Sequence, residues 1–228
     1  MSGVRRKGPP TGGPRVPRVV TEGRKRKVIY AVVEGESTER DYLGHLEERF
    51  GGDPRRFEIH VLWKRKGLKP DEVVNWALEK ASELEDPRRE QVWALFDRDD
   101  HSRVEESCRR AERAGVRVAF SHPCFELWLL LHFVAGVPGA PTSKCIQDRL
   151  RAAHQAFRTF DKRLDGAPLA ALNGNEADAV NRARSLVTNC PSMACTARNG
   201  HGADCRVLDR TPSTDVWRIL VELGIVTV

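Results

Sequence analysis

Tyrosine is scarce in this sequence, which contains two tyrosines, Tyr30 and Tyr42, in 228 residues. Tyr30 lies in a predicted strand, and Tyr42 lies on the core-facing stripe of a predicted helix, so neither is placed as an exposed nucleophile. No obvious serine nucleophile stands at the end of a predicted strand either. These absences argue against strand-transfer chemistry through a covalent bond to the protein.

The sequence also lacks a long apolar run. No run approaches the roughly 20 residues that a membrane-spanning helix needs, and the basic amino-terminal stretch has no apolar centre of the kind found in secretory signals. A content of 40% hydrophobic and 31% charged residues is typical of a soluble globular protein. We therefore expect a cytoplasmic protein without membrane contact, whose six cysteines are free thiols.

Positive charge is concentrated at the amino terminus. Residues 1–27 contain nine lysines or arginines and one glutamate, a net charge of +8, so residues 28–228 carry −2 of the total of +6. Glycine and proline are frequent in the same stretch, which predicts disorder at least as far as Val16. Such a tail can add phosphate affinity that does not depend on sequence. It can equally be a solubilising leader or an expression remnant.

An apolar run that ends on carboxylates marks the centre of the chain. Val92 to Phe96 has no polar alternation, which predicts a strand buried on both faces of a parallel sheet. Asp97, Asp99 and Asp100 follow it, at the carboxyl end where open α/β sheets place their chemistry. Neighbouring carboxylates repel each other unless a cation lies between them, and Mg2+ prefers oxygen ligands. A polar exit from the strand into a loop is the simpler alternative.

A second carboxylate follows the first predicted strand. The strand Val28–Val33 ends on Glu34, and Gly35 then permits a tight turn before Ser37 and Thr38, which are candidate helix N-caps. Because the carboxyl ends of parallel strands meet at one edge of a sheet, Glu34 and the aspartates can converge there.

The remaining pattern alternates strands and helices, which predicts an α/β fold with a mainly parallel, four-stranded sheet. The predicted strands are residues 28–33, 57–63, 92–96 and 116–120, and the predicted helices are residues 38–50, 70–83, 101–114, 125–133, 142–157, 176–187 and 215–223. We expect a disordered basic tail at 1–27, an α/β core at 28–135 and a helical extension at 136–228 that closes on the core.

Two further sets of residues are candidates for the same rim of the sheet. Lys64, Arg65 and Lys66 follow the second strand directly, where they could bind backbone phosphates, and Arg98 lies between the aspartates. A solvated loop explains the basic triplet equally well. Glu126 begins an almost wholly apolar helix, so it is either a locally hydrogen-bonded acid at the helix amino terminus or an added metal ligand or orienting group.

The arrangement of a strand followed by E-G-x-[ST] and a later strand followed by D-x-D resembles the TOPRIM fold. Four stretches narrow this resemblance to the RloB-like family: residues 32–43 (VVEGESTERDYL), 96–100 (FDRDD), 121–133 (SHPCFELWLLLHF) and 211–216 (TPSTDV). The last two are similar to the family patterns S-N-P-x-F-E-x-W-L-L-x-H-F and N-P-S-T-x-V. His122 and Thr211 stand where asparagine is usual, which bears on any polar contact made through those amides.

The resemblance implies a TOPRIM-like, Mg2+-dependent or Mn2+-dependent nuclease of bacterial anti-phage defence, with tRNA or another RNA as a plausible target. It implies that Glu34, Asp97 and Asp99, with Asp100, hold the metal and that Glu126 joins the catalytic set. Other defence-system proteins are possible partners. Two alternatives stay open: a module that binds nucleic acid or nucleotide without cleaving it, and a regulatory or scaffold subunit. DNA and RNA are not distinguished by the sequence.

Cys190, Cys195, His201 and Cys205 form a possible zinc set in a loop that contains glycine and asparagine. The spacings are C-x4-C, then five residues to the histidine and three to the last cysteine. Structural zinc sites generally bring their thiolates in tight pairs, so the spacing fits only in part. Unligated thiols beside a loop are the alternative.

Overall fold

The apolar runs of the sequence form the strands of one sheet in the computed structural model, which describes residues 26–52, 57–98, 103–137, 139–202 and 205–228. Within these ranges the strands are β1 (Lys27–Val33), β2 (Phe57–Leu62), β3 (Glu90–Asp97), β4 (Arg117–His122) and β5 (Ser213–Thr214). The helices are α1 (Thr38–Phe50), α2 (Pro70–Ser82), α3 (Val104–Arg113), α4 (Glu126–Leu130), α5 (Ser143–Ala153), α6 (Gly166–Leu172), α7 (Glu176–Val187) and α8 (Trp217–Glu222).

The sheet has the order β2-β1-β3-β4-β5. β1 pairs in parallel with β2 and β3, and β3 pairs in parallel with β4. The predicted α/β class and mainly parallel sheet are therefore confirmed. The prediction of four strands was wrong, because the short strand β5 pairs antiparallel with the end of β4, with Ser121 opposite Thr214.

The buried strands present apolar side chains to both faces of the sheet, as the unbroken apolar runs predict. Successive side chains point to opposite faces, so alternate residues of β3 enter two separate clusters. One cluster contains Trp93 and Leu95. The other contains Val92, Ala94 and Phe96.

Helices cover the two faces unequally. The cluster that contains Trp93 includes buried residues from α1, α4, α5, α6, α7 and α8, whereas the opposite cluster is covered by α2 and α3. The stripe of α1 is buried as its spacing predicts, with Tyr42, Leu43 and Leu46 at most 1% exposed. Helices from beyond residue 136 thus share a core with α1 and the sheet, and the proposed division of the chain at residue 135 remains a prediction.

Two predicted helices are clearly longer than the helices of the structure, and one helix of the structure was not predicted. The long helix predicted for 142–157 ends at Ala153 and is followed by a separate 3-10 turn at Gln155–Phe157. The helix predicted for 125–133 is limited to α4, whose next residues form turns. Helix α6 is absent from the sequence-based prediction.

The basic tail lies almost entirely outside the described residues, which begin at Arg26. Lys27, which was predicted to belong to the tail, is the first residue of β1, and its ammonium donates to the Glu222 carbonyl oxygen at 2.9 Å and contacts the Glu222 carboxylate. In the part of the chain that the structure describes, no helix combines the length and the apolar character that crossing a membrane requires.

Candidate functional site

A cleft of about 370 Å³ opens at the carboxyl ends of β1 and β3. Five carboxylates line it: the exposed Glu36 and four that are buried or half-buried, Glu34, Glu39, Asp97 and Glu126. The other lining residues come from the β1–α1 turn, the loop before α2, the start of α4, the face of α5 and the segment before α6: Gly35, Ser37, Thr38, Lys66, Gly67, Cys124, Phe125, Ser143, Gln147 and Lys162. This is the edge of the sheet at which the sequence predicts the site.

Glu34 and Asp97 connect the ends of three elements. The backbone N–H of Asp97 donates to Glu34 Oε2 at 2.8 Å, which joins the end of β1 to the end of β3. The backbone N–H of Phe125 donates to Asp97 Oδ2 at 3.0 Å, which joins β3 to the start of α4. The two predicted acids therefore lie together, and each also orders the backbone beside the cleft.

Glu126 is the first residue of α4 and is only 5% exposed. Its carboxylate accepts a long hydrogen bond of 3.4 Å from Gln147 Nε2 of α5. The neighbouring residues Leu127 to Leu130 are fully buried, so the chain places a carboxylate at the amino end of its most apolar helix. The position in the first turn favours the negative charge.

Glu39 is a fourth carboxylate that was not predicted to belong to the site. It lies in the first turn of α1 and is 7% exposed. A side chain at Gly35 would come within 2.1 Å of Glu39 Oε2, so the absence of a Cβ there leaves room for the carboxylate. One signal in the sequence could have found Glu39: it precedes Tyr42 and Leu43 by three and four residues, which places it on the buried stripe of α1.

Two carboxyl groups of the cleft, those of Glu39 and Asp97, have raised pKa values. Burial raises the pKa of Glu39 to about 7, and the charges of Glu126 and Glu34 add to this effect, although backbone N–H groups of Glu39 and Gly35 oppose it. Burial also raises the pKa of Asp97 well above its usual value, and the charges of Glu39, Glu126 and Glu34 raise it further. The cleft is therefore a site where negative charge is poorly compensated.

A divalent cation fits this donor set. Hard cations such as Mg2+ bind carboxylate oxygens, and an opposite charge offsets both the cost of burying these carboxylates and the repulsion between them, which together raise the pKa values. Within the described ranges, no lysine, arginine or histidine nitrogen forms an ion pair with Glu39, Asp97 or Glu126. Those three residues and Glu34 are the groups of the described cleft that could hold Mg2+ or Mn2+.

Two predicted ligands, Asp99 and Asp100, lie outside the described residues. Their assignment as metal ligands stays a prediction. Arg98, which precedes them, donates its backbone N–H to the Ser121 carbonyl oxygen at 2.9 Å, and its charge contributes to the lowered pKa of His122, after the larger effect of burial. Arg98 is not among the residues that line the cleft.

The basic triplet after β2 is divided between two surfaces. Lys66 lines the cleft. Lys64 instead has its ammonium 5.5 Å from the centre of the Trp76 ring, beside α2, and Arg65 is exposed. Lys162, which was not predicted to belong to the site, also lines the cleft, and its carbonyl accepts a 2.6 Å hydrogen bond from Thr38 Oγ1.

Lys162 has an unusual backbone conformation. Its φ angle is +86°, in the left-handed region that favours glycine, and an ordinary side chain there costs on the order of 1 kcal/mol. The hydrogen bond from Thr38 stabilises this conformation at the point where the segment crosses the start of α1. The cleft thus contains two lysines, from loops that are far apart in the sequence.

The possible zinc residues are also brought together. The ligand atoms of Cys190, Cys195, His201 and Cys205 all lie within 4.8 Å of one another. Burial lowers the pKa of His201 to about 3, and the charge of Arg210 adds to this, so the imidazole is neutral. Burial raises the pKa of Cys205 to about 12, with a further rise from the neighbouring thiols.

Comparison with known proteins identifies one family. Residues 29–223 match the family described as RloB-like protein, a range that extends from β1 to the end of α8 and includes all five carboxylates of the cleft. No curated protein matches the chain, and no solved structure matches it. The resemblance to the RloB-like family found in the sequence is confirmed, and the chain belongs to that family.

Proposed function

We propose that the protein is a metal-dependent nuclease whose cleft binds Mg2+ or Mn2+ and hydrolyses phosphodiester bonds in nucleic acid. The observation that carries the proposal is the convergence of Glu34, Glu39, Asp97 and Glu126 at one edge of the sheet. Surface acids are common in proteins, but buried acids without a cation are costly. Buried acids that repel one another at the carboxyl ends of parallel strands therefore support a cation site.

The positions of Glu34 and Asp97 in the sheet support the proposal that the α/β core is similar to the TOPRIM fold. Glu34 follows the first strand and Asp97 ends the strand that lies next to it in the sheet, so the two acids are adjacent although 63 residues separate them. This arrangement agrees with the order of motifs that the sequence shares with TOPRIM proteins. Asp99 would complete the acidic set of that fold.

The chain's own residues have separable tasks in this proposal. Glu34, Asp97 and Glu126 would hold the cation, and Glu39 would lie beside them as a fourth oxygen donor. When bound, the cation supplies a Lewis acid that activates water and stabilises charge on the phosphoryl group. Lys66 and Lys162 also line the cleft, and in this proposal their ammonium groups would favour a phosphodiester over a neutral substrate.

The target is proposed to be nucleic acid, with tRNA or another RNA as the first candidate, in a bacterial defence context that follows from the family resemblance alone. The excess positive charge of residues 1–27 supports a polyanionic substrate. In this proposal, residues 1–27 contribute affinity for phosphate, whereas the lysines that line the cleft position the phosphate.

Cleavage assays test the proposal directly. The protein is incubated with labelled tRNA, single-stranded RNA and plasmid DNA in Mg2+, in Mn2+ and in EDTA. We expect cleavage of at least one substrate that requires the metal. Asp97→Asn should abolish it, because the amide oxygen can still accept the hydrogen bond from the Phe125 N–H while the negative charge is lost.

A matched control distinguishes the loss of a proposed metal ligand from the loss of any acidic side chain near the cleft. Glu36 also lines the cleft but is exposed, so Glu36→Gln removes its solvent-exposed acid while the four carboxylates that are buried or half-buried stay intact. This variant should keep at least half of the cleavage rate. Binding of RNA without cleavage in any metal would refute the nuclease proposal and favour a non-cleaving module. Cleavage that persists in EDTA would refute the role of the cation.

A further inference from the structure

A compact loop after α7 contains three cysteines and one histidine. Cys190, Cys195, His201 and Cys205 lie within 16 residues of sequence, and their ligand atoms all lie within 4.8 Å of one another. The Sγ atoms of Cys190 and Cys205 are 3.3 Å apart. The Sγ of Cys205 is 3.8 Å from His201 Nδ1. These four side chains have no part in the carboxylate cleft.

The distances suit a metal better than a disulfide. In a tetrahedral zinc site with ordinary bond lengths, two thiolates lie about 3.8 Å apart and a thiolate and an imidazole nitrogen about 3.5 Å apart. A disulfide requires about 2.05 Å between the sulfurs. The separation of Cys190 and Cys205 lies closer to the zinc value, and a disulfide between them would leave Cys195 and His201 without a reason to converge.

The backbone of the loop is shaped to bring its ligands together. Thr196 and Gly200 exchange two backbone hydrogen bonds of 3.0 and 2.8 Å, and Gly200 has a φ of +80°. This tight turn returns the chain so that His201 follows directly beside Cys195. At Gly202, an added Cβ would approach Ala194 Cβ within 2.6 Å, so the two arms of the loop can be this close only with glycine there.

Cys195 also receives a hydrogen bond that suits a thiolate ligand. The backbone N–H of Gly202 donates to its Sγ at 3.4 Å. Donors of this kind orient metal-bound sulfur and stabilise its negative charge. The glycine that permits the close approach of the two arms is therefore the residue that also supports the sulfur.

We propose that Cys190, Cys195, His201 and Cys205 bind one zinc ion with a structural role. Thiolate sulfur with imidazole nitrogen is a ligand set that zinc accepts and that hard cations such as Mg2+ do not prefer. Four protein ligands close the coordination sphere, whereas a catalytic zinc keeps an open position for water or substrate. The site is therefore independent of the proposed nuclease chemistry.

The surroundings balance the charge of such a site. Three thiolates and a neutral imidazole around Zn2+ leave a net charge of −1. Arg210 is buried and its Nη2 donates to the Cys205 carbonyl oxygen at 3.1 Å, and its Nη1 lies 3.9 Å from Asp215 Oδ2. Arg184 donates to the Ala197 carbonyl oxygen at 2.6 Å. Two arginines thus lie against the loop.

Arg210 also shows what the zinc would stabilise. Its carbonyl accepts a hydrogen bond from Ser213 Oγ, and its partner Asp215 donates a backbone N–H to the carbonyl oxygen of Phe120 in β4 at 2.9 Å. These hydrogen bonds connect the loop that contains the four proposed zinc ligands to β5, the short strand that pairs with the end of β4. A strand of two residues has little stability of its own, so we infer that the metal holds this strand at the sheet edge.

Metal analysis of the full-length protein, purified under reducing conditions, tests the site. We expect about one zinc per chain, released when the thiols are modified by a mercurial reagent. Cys195→Ser should lose most of the zinc, whereas Cys145→Ser should keep it, because Cys145 is exposed on α5 and outside the cluster. His201→Cys should retain zinc, since four thiolates also form a structural site.

Cobalt substitution keeps the test valid if a variant does not fold. Co2+ added to the metal-free wild-type protein should give the thiolate charge-transfer bands and intense visible bands of a tetrahedral site. Wild-type protein that contains no zinc and gives no such spectrum would overturn the proposal. So would a disulfide between Cys190 and Cys205, found by mass spectrometry of the protein kept under reducing conditions.

Discussion

Replacement of Glu39 by glutamine should stabilise the metal-free protein at high pH. A carboxyl whose pKa is raised in the folded state binds its proton more tightly there than in the unfolded chain, so stability falls as the pH rises through that window. For Glu39 the window runs from its ordinary value of 4.5 to about 7. At about 1.36 kcal/mol per pKa unit, the ionised group destabilises the protein at pH 8 by about 3 kcal/mol.

The glutamine side chain keeps the shape of Glu39 but accepts hydrogen bonds through one oxygen instead of two. Glu39 accepts from its own backbone N–H and from that of Gly35, so loss of one acceptor costs about 1 kcal/mol. The expected net gain at pH 8 is about 2 kcal/mol, which raises the melting temperature by roughly 4–8 °C for a chain of this size. At pH 5 the two effects nearly cancel, and little change is expected.

Buried histidines also make the stability of the wild type depend on pH. The difference in stability between Glu39→Gln and the wild type is therefore more informative than the pH profile of the wild type alone. Burial lowers the pKa of His122 and of His132 to about 4. The unfolded chain therefore takes up protons first as the pH falls below about 6.5, and the fully buried His132 destabilises the fold at pH 5 by about 2 kcal/mol, whereas solvent screening makes the effect of the half-buried His122 smaller. This effect opposes that of Glu39 but is shared by the wild type and the variant.

Thermal unfolding of the wild type, Glu39→Gln and the exposed control Glu36→Gln is therefore measured at pH 5 and pH 8 in EDTA. The melting temperature of Glu39→Gln should exceed that of the wild type at pH 8 alone, and Glu36→Gln should follow the wild type at both values. An equal loss of stability by Glu39→Gln at both pH values would refute the reasoning, because it would show a hydrogen-bonding role without electrostatic cost.

Three further outcomes are expected. Asp97→Asn should leave the melting temperature in EDTA level or higher and remove the rise that Mg2+ gives the wild type; a loss of stability with and without metal, measured by calorimetry, would contradict a ligand role. Lys66→Ala should weaken RNA binding at least threefold in a filter-binding titration, whereas Lys64→Ala, which lies beside Trp76 outside the cleft, should change it less than twofold. Deletion of residues 1–25 should reduce the dependence of nucleic-acid affinity on salt, by about 0.9 in log–log slope for each phosphate that the tail neutralises in the wild type, while circular dichroism shows an unchanged fold.

Four strands of the sheet could be predicted from the sequence, because β1, β3 and β4 contain short apolar runs and β2 alternates apolar with polar residues. Helix α1 was predicted with its observed bounds, since its apolar stripe begins after a run of polar N-cap candidates and ends before two glycines. The convergence of Glu34 and Asp97 followed from topology alone, because parallel strands place their carboxyl ends at one edge.

Other features depend on tertiary contacts that leave little trace in the local pattern. Strand β5 has two residues, Ser213 and Thr214, and is stabilised by pairing with β4 and by the hydrogen bond between the hydroxyl groups of Ser121 and Thr214 at 3.0 Å. Neither residue gives an apolar signal. Lys162 reaches the cleft from a segment with no regular structure, so only the folded chain shows that it lines the same cleft as Glu39.

The cost of the acidic cleft is large compared with the stability of an ordinary domain. Glu39 alone accounts for about 3 kcal/mol at pH 8, whereas domains are typically stable by about 5–15 kcal/mol. A cation at about 100 times its dissociation constant stabilises the folded state by about 2.7 kcal/mol, which nearly offsets that cost. Mg2+ should therefore raise the melting temperature of the wild type more at pH 8 than at pH 5, because at pH 5 the proton on Glu39 already neutralises part of the charge. A rise of equal size at both values would place the bound cation away from Glu39.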